Sequence, residues 1–423
     1  MTVGMNAPSV RTGPRGEGLL SGGDRFARPP GLFSRLLAPG FQAIINQVDA
    51  GLERGSMLAH LPDGTTRLLG GRAPGFDARI DLKDWRALLR LATRGSIGWY
   101  QAYEAGEWDS DDLVALFGVM GANARTLGPA ARPAGPYKWL ANLAHRFNRN
   151  NREGSRRNIS AHYDLGNDFY SAWLDPSMTY SSALGLAPNS GEGALEEAQR
   201  TKIAGLINRL DKPETVLEIG CGWGTLAESL HEAGAKVTAI SLSDEQLAYA
   251  RDRCSPFIDF EKRDYRDVDG AFDGIASCEM VEALGREYWP DFMDVVARNL
   301  KPGGRAAIQY ISMADDIFED YASGADFIQA YIFPGGLLIK TSEFRELAEA
   351  RGLAWQDQTD FALDYAETLK EWRVRFDRAV EQGRLPAGFD ARFVRLWRYY
   401  LAYCEAGFRC GNVGVHQVTL VKG

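Results

Sequence analysis

Long apolar runs are missing from this sequence of 423 residues, although hydrophobic side chains make up 45% of it. Without a stretch of about 18 or more apolar residues, no segment is expected to cross a bilayer as a helix. The opening residues, MTVGMNAPSVRTGPRGEG, also lack the apolar block of a secretory signal. Charged residues make up 25%, as in soluble globular proteins, so we expect a cytoplasmic chain.

Cysteine is also scarce, and acidic residues outnumber basic ones, 56 to 48. The five cysteines are scattered and form no CxxC pair, which fits a reducing compartment and predicts no metal site. A formal net charge of −8 argues against nucleic acid as the main partner.

One segment departs from this acidic balance. The stretch AHRFNRNNREGSRRN carries five arginines against a single glutamate. Two interpretations remain open: a solvated linker, or a patch that meets an anionic membrane surface, where each basic residue contributes roughly 1 kcal/mol.

The length favours more than one domain. Residues 1–38 are rich in Gly, Pro and Arg and are predicted to form a flexible arm. Residues 39–140 predict a small α+β domain, because GSMLAHLPDGTTRLLGG alternates on both sides of a turn and helical spacing follows it. An arginine-rich linker, 141–160, then leads to a larger domain, 161–423.

Strands alternate with helices in the larger domain. ETVLEIG, AKVTAIS, FIDFEKRD, FDGIASCEM and GGRAAIQYIS are typical of buried strands, and helical patterns separate most of them. One of these helices, SDEQLAYARDRC, is predicted to begin at a Ser-Asp cap. This alternation predicts an α/β fold with a mostly parallel, Rossmann-like sheet covered by helices on both faces. Ligands of such sheets bind beyond the carboxyl ends of the strands. That rim is predicted to carry Gly220, Ser241, Asp264, Glu279, Glu282 and Gln309.

A glycine loop, LEIGCGWG, lies between a predicted strand and a predicted helix. Such loops let the backbone approach a ligand closely, and NAD and S-adenosylmethionine (SAM) are the two candidates. Glu218 would repel a pyrophosphate, whereas SAM brings an ammonium and a sulfonium. The next strand ends at Ser241 rather than at the acid typical of an NAD ribose site. The loop therefore favours SAM.

With these segments the sequence resembles the cyclopropane-fatty-acyl-phospholipid synthase family, which includes the mycolic acid methyltransferases. The resemblance covers residues 155–423 and, more weakly, the preceding domain. It rests on HYDLGNDFYSAWLDPSMTYSSA, LEIGCGWG, SLSDEQ, RDYRD, VARNLKPGG, AYIFPGG and ALDYAETLKEW, which follow the family's motifs in order. The resemblance implies a class I SAM methyltransferase fold, a peripheral contact with the inner membrane face, an amino-terminal domain that assists lipid engagement, and a homodimer.

The resemblance also implies a binding site for SAM and for an acyl chain. The SAM residues would be Tyr180, Ser181, Gly220, Gly222, Ser241, Leu242, Gln246, Tyr265 and Arg266. The segment AYIFPGG, 330–336, would line the acyl pocket or its mouth. The implied reaction adds the SAM methyl group to the double bond of an unsaturated phospholipid acyl chain. It leaves a carbocation that aromatic faces stabilise.

In this family a bound bicarbonate removes the final proton, and here the resemblance is incomplete. Glu282, Tyr365 and the backbone of Ile311 match the positions that hold it. The cysteine position is Ser182, the histidine positions are Gln309 and Ala283, and a glycine position is Glu279. A neutral amide supplies no titratable imidazole. A carboxylate at position 279 would raise a neighbouring carboxyl pKa or expel bicarbonate.

These departures leave more than one function open. The first is a SAM-dependent acyl methyltransferase in which Glu279 or Glu282 acts as the base, with a cyclopropane or a methyl-branched unsaturated product. The alternative is a different modification, such as desaturation or oxidation, of an already methylated acyl chain. A lipid-binding scaffold without catalysis is the third hypothesis, which the intact glycine loop disfavours.

Overall fold

The computed structural model describes residues 15–21, 38–127, 165–191 and 193–423, so the predicted linker 141–160 lies outside the described residues. The strands are β1 (Ser56–His60), β2 (Thr66–Gly70), β3 (Asp77–Leu82), β4 (Trp108–Asp109), β5 (Thr215–Ile219), β6 (Lys236–Ser241), β7 (Asp259–Lys262), β8 (Phe272–Cys278), β9 (Leu300–Met313), β10 (Leu353–Asp360) and β11 (Val413–Lys422). The α-helices are α1 (Glu17–Leu20), α2 (Ala38–Gly51), α3 (Arg86–Glu104), α4 (Leu113–Ala122), α5 (Ala124–Leu127), α6 (Asn167–Ser171), α7 (Ala194–Arg209), α8 (Thr225–Glu232), α9 (Asp244–Arg253), α10 (Trp289–Asn299), α11 (Phe318–Ala322), α12 (Thr341–Glu349), α13 (Ala362–Glu381) and α14 (Ala391–Arg409).

The predicted α/β fold is confirmed by a seven-stranded sheet in the order β10-β11-β9-β8-β5-β6-β7. The five strands from β9 to β7 are parallel, β11 runs antiparallel to them, and β10, which pairs antiparallel with β11, runs in their direction again. The sequence patterns predicted the five parallel strands but not the antiparallel pair. The strand order reverses between β5 and β8, and ligands of open α/β sheets bind at such a reversal.

Local sequence explains the elements that carry the site. Four of the five residues of β5 (TVLEI) are buried, as expected for a strand covered by helices on both faces. Helix α9 begins after Ser243, whose hydroxyl accepts a hydrogen bond from the N–H of Gln246, as the predicted Ser-Asp cap requires. These two elements fix the loops that follow β5 and β6.

A smaller sheet precedes the large one, in the order β2-β1-β3-β4, and its antiparallel β1–β2 pair confirms the predicted hairpin. Its helices share a continuous hydrophobic core with the carboxyl-terminal helices: Phe117 of α4 packs edge-on against Tyr399 of α14, with ring centroids 4.8 Å apart. Within the predicted arm, Leu19 and Leu20 are buried and Arg15 donates to Asp168. Of the helices that the structure describes, none is both long and apolar enough to cross a membrane.

Candidate active site

A cavity of about 1150 Å³ lies against the carboxyl ends of β5, β6 and β8. It brings together every residue that the sequence predicted for SAM: Tyr180, Ser181, Gly220, Gly222, Ser241, Leu242, Gln246, Tyr265 and Arg266. Both glutamates, Glu279 and Glu282, and Tyr365 and Ile311 line the same cavity. Ser182 and Gln309 are fully buried behind this wall.

The glycine loop after β5 needs its glycines. Gly220 has a φ of 86° and Gly222 a φ of 52°, both in the left-handed region. A Cβ on Gly220 would lie 2.7 Å from Cγ of Met280. Beside the loop, Glu218 is 2% exposed and its Oε2 has no hydrogen-bond partner. Burial raises the pKa of Glu218 to about 8, and the charge of Lys202 acts in the opposite direction. A ligand ammonium fits this unpaired carboxyl oxygen.

The loops after β6 and β7 carry the remaining residues that the sequence predicted for SAM. Ser241 Oγ donates to Gln246 Oε1 at 3.4 Å, and Gln246 is buried. Arg266 forms a two-point ion pair with Asp264, at 2.8 and 2.6 Å, which holds its guanidinium 5.5 Å from the ring centroid of Tyr265. The two planar side chains are therefore fixed before any ligand binds, which suits contact with a base.

Glu279 lies directly after β8, and its carboxylate is the centre of a buried hydrogen-bond network. Oε1 accepts from the backbone N–H of Ser182 at 3.0 Å and from Nε2 of Gln309 at 2.7 Å, and Oε2 accepts from the hydroxyl of Tyr365 at 2.8 Å. The backbone of Glu279 has a φ of 50°, a conformation that favours glycine. The structure thus places a carboxylate where the chain would more readily hold a glycine.

The donors that the resemblance assigned to bicarbonate all contact protein carboxylates. Ser182 contributes its backbone N–H, while its own hydroxyl donates to the carbonyl of Ala183, so the change from cysteine leaves the donor intact. The N–H of Ile311 donates to Oε1 of Glu282. Oε2 of Glu282 is buried without a partner. The carboxyl group of Glu279 therefore takes three of these four donors, and that of Glu282 takes the fourth.

Burial and charge set the protonation of the two glutamates. Burial raises the pKa of Glu279, and the Ser182 N–H, Lys202, Gln309 and Tyr365 all act in the opposite direction. Burial, and next the neighbouring charge of Glu279, raise the pKa of Glu282 to about 8. Because Glu279 has the hydrogen-bond donors and Glu282 has few, Glu279 is the better placed of the two to carry the negative charge.

Two buried residues of the network escaped the sequence analysis. Lys202 of α7 is 2% exposed, and its Nζ donates to Ser181 Oγ at 2.6 Å. Lys202 lies on the same buried face of the helix as Ala198 and Leu206. A lysine at a position where the helical spacing predicts an apolar residue could have indicated it from the sequence. Gln417 of β11 donates to Gln309 at 3.0 Å, and only the β9–β11 register, which no sequence pattern supplied, brings the two together.

The remainder of the cavity wall is largely apolar and comes from both parts of the chain. A π-helix, Ile328–Ile332, leads into Phe333, Pro334 and Gly336 of the predicted acyl segment, which line the cavity. Ile97, Phe117 and Met120 of the amino-terminal helices line it as well. Among the described residues, no group of His, Cys, Asp and Glu side chains is arranged to hold a metal ion.

Comparison with known proteins agrees with this geometry. A family model described as mycolic acid cyclopropane synthetase matches residues 150–418. The chain is 38% identical to the tuberculostearic acid methyltransferase UfaA1 of Mycobacterium tuberculosis, over 86% of this chain and 88% of the relative. It is 32% identical to the cyclopropane-fatty-acyl-phospholipid synthase of Escherichia coli K12, over 84% of this chain and 90% of the relative.

Solved structures give the same result. The cyclopropane synthase MmaA2 from Mycobacterium tuberculosis superposes with a TM-score of 0.57 at 27% identity, covering 63% of this chain and 98% of that one. The mycolic acid cyclopropane synthase CmaA1, in complex with SAH and CTAB, superposes with a TM-score of 0.56 at 27% identity, with the same coverage.

Proposed function

Because the chain belongs to the mycolic acid cyclopropane synthetase family, we propose that it methylates the double bond of unsaturated phospholipid acyl chains and that Glu279 removes the final proton. The enzyme is a fatty-acyl methyltransferase and its cofactor is SAM. The double bond of a phospholipid acyl chain as the methyl acceptor, the base and the product are the elements that we propose.

The cavity supports a reaction between two ligands. Its volume of about 1150 Å³ exceeds the range of roughly 300–1,000 Å³ that single small ligands occupy. SAM supplies an electrophilic methyl group on a sulfonium. Gly220, Gly222 and Glu218 would hold its amino-acid portion, and Ser241 and Gln246 its nucleoside. The apolar wall suits an acyl chain. Aromatic faces such as Tyr365, stacked on Phe408 at 4.4 Å, would stabilise a substrate carbocation.

The single observation that carries the choice of base is the environment of the Glu279 carboxylate. Oε1 accepts from the backbone N–H of Ser182, which can only donate, and from the side-chain N–H of Gln309. Oε2 accepts from the Tyr365 hydroxyl, which can rotate. A proton lost by the substrate cation would therefore go to Oε2, and Tyr365 would turn to accept a hydrogen bond from it. The substrate cation becomes neutral and Glu279 becomes a carboxylic acid.

We propose a methyl-branched, still unsaturated acyl chain as the product, with the cyclopropane as the competing outcome. A hydride shift would move the cation along the chain before a proton is lost. A base fixed by three hydrogen bonds can take that proton from only a small region of the chain. The relative named for methylation is more similar, at 38% identity, than the relative named for cyclopropane formation, at 32%.

All residues predicted to bind SAM line the cavity. This gives no support to the alternative in which an already methylated chain is oxidised or desaturated. Because the substrate is part of a membrane, we propose a peripheral contact between the enzyme and the inner membrane face. The basic linker is the segment of the sequence with the charge for such a contact.

The test combines turnover with product analysis in buffers freed of bicarbonate. Purified enzyme, SAM and vesicles of a monounsaturated phosphatidylethanolamine should give acyl esters one CH₂ heavier by mass spectrometry. Proton NMR separates vinylic protons from cyclopropane ring protons. The variant E279Q keeps the size of the side chain but cannot act as a base, so its turnover should fall by about 10²–10⁴-fold. Wild-type enzyme that adds no carbon to any acyl chain would refute the proposal.

A further inference from the structure

Gln417 lies behind the base, on the far side of Gln309 from Glu279. The antiparallel register of β9 and β11 places Gln417 directly opposite Gln309. Gln417 is 2% exposed and Gln309 is fully buried, so neither amide exchanges its partners with solvent. Gln417 has no direct hydrogen bond to Glu279, and any influence on the base must pass through Gln309.

A backbone carbonyl fixes the direction of this hydrogen-bond chain. Nε2 of Gln417 donates to the carbonyl oxygen of Lys202 at 3.0 Å, and a carbonyl can only accept. The same Nε2 donates to Oε1 of Gln309, also at 3.0 Å. Gln309 must then turn its own Nε2 toward Glu279, which it meets at 2.7 Å. Reversing either amide would bring two oxygens together in a buried site.

The other end of the Gln417 side chain is also held. Its Oε1 accepts from Nε of Arg209, at 3.4 Å, on the same helix that supplies the Lys202 carbonyl. A Cβ at Gly205, one turn away on that helix, would lie 2.8 Å from this oxygen, so the helix approaches the amide closely. Gln417 therefore has one orientation, defined by groups outside the cavity.

We propose that Gln417 is a positioning residue that locks Gln309 as a donor to Oε1 of Glu279, so that the proton removed from the substrate is accepted only at Oε2. This inference rests on the role of Glu279 proposed above. The lock keeps the carboxylate ionised before the reaction and confines the new O–H to the oxygen beside Tyr365. It assigns Gln417, a residue of β11 that does not line the cavity, a part in proton removal.

The test is a double-mutant cycle read as a pH profile. Q417M and Q309M each remove donors while nearly preserving side-chain volume. Without Gln417, the Gln309 amide is free to turn its oxygen toward Glu279, which disfavours the carboxylate. The acidic limb of kcat/KM should therefore move to higher pH in Q417M, by about one unit. In a Q309M background the further change Q417M should have no effect, because the connection has already been lost.

The control variant is T419V. Thr419 is buried on the same face of β11, two residues from Gln417, and its hydroxyl contacts only Arg209 among the hydrogen bonds described. T419V therefore shows how much activity changes when β11 is altered at a neighbouring buried position. Thermal unfolding and calorimetric titration with SAM would show that each variant is folded and binds its cofactor.

Three outcomes separate the possibilities. A shifted limb in Q417M, absent in T419V and not additive with Q309M, supports the inference. If the acidic limb of the kcat/KM profile does not move in Q417M, or if its shift adds fully to the shift in Q309M, the positioning role of Gln417 is wrong while the role of Glu279 stands. Undiminished turnover by E279Q would overturn the role of Glu279 itself, and with it this inference.

Discussion

Replacing Glu279 by glycine should convert the enzyme to dependence on an added anion. In E279G the backbone keeps its conformation, because a φ of 50° suits glycine. The Ser182 N–H, Gln309 Nε2 and Tyr365 hydroxyl lose their acceptor and face an empty, buried site. Three convergent donors of this kind form an anion site, and bicarbonate can both bind there and accept a proton.

The stability of the variants can be worked out from the backbone. A left-handed conformation costs a residue with a Cβ about 1–2 kcal/mol. Glycine loses part of that advantage, about 0.5–1 kcal/mol, through its greater freedom in the unfolded chain. E279G and E279A lose the same carboxylate, so the difference between them isolates the backbone. E279G should therefore have the higher free energy of unfolding, by roughly 0.5–1 kcal/mol.

The activity assay uses buffers depleted of carbon dioxide, with bicarbonate added in steps. We expect E279G to lose about 10²–10⁴-fold of its turnover and to recover it as bicarbonate is added. Wild-type enzyme should not respond to bicarbonate. E279Q should not be rescued, because its amide fills the site. If wild-type turnover required bicarbonate, or if E279G were active without it, the assignment of Glu279 as the internal base would be wrong.

Two further predictions concern neighbouring residues. The folded-state pKa of Glu282 is raised to about 8, above that of an exposed glutamate. The stability that comes from burying its neutral form is therefore complete at low pH and is lost between about pH 4.5 and 8. E282Q should flatten this fall in unfolding free energy by up to about 1.4 kcal/mol per pH unit, as measured by urea titration at several pH values. The variant G220A would place a Cβ 2.7 Å from Cγ of Met280, on a backbone in the left-handed region. Calorimetry should therefore show that SAM binds about tenfold more weakly or worse. E282Q, which leaves the glycine loop unchanged, is the comparison variant.

The fold was largely predictable because its determinants are local. The alternation of apolar strands and helices identified the five parallel strands, and the Ser-Asp cap located the start of α9. The edge strand β10 was missed for a physical reason. LAWQDQTD of β10 is mostly exposed, so it lacks the apolar run that predicts a buried strand.

The site was predictable to the extent that its residues follow strand ends. Glu279 follows β8 and Ser241 ends β6, the two parallel strands that flank β5, and topology alone places them on one rim. The direction of a side chain and the partner across a strand pair are not local properties. Sequence reasoning therefore identified Glu279 as an intruding carboxylate, but it could not show that Ser182, Gln309 and Tyr365 all donate to it. Gln417 was invisible for the same reason.

The energetics of Glu279 argue for a role in chemistry rather than in stability. Its backbone lies in a region that costs a residue with a Cβ about 1–2 kcal/mol. Burial raises the pKa of its carboxyl, which means that the ionised form is disfavoured in the folded chain. A glycine at this position would remove both costs. Strained residues that persist in this way cluster at functional sites. If Glu279 is the base, as proposed above, the chain carries its own proton acceptor at a cost to stability, and proton removal should not depend on the supply of an anion.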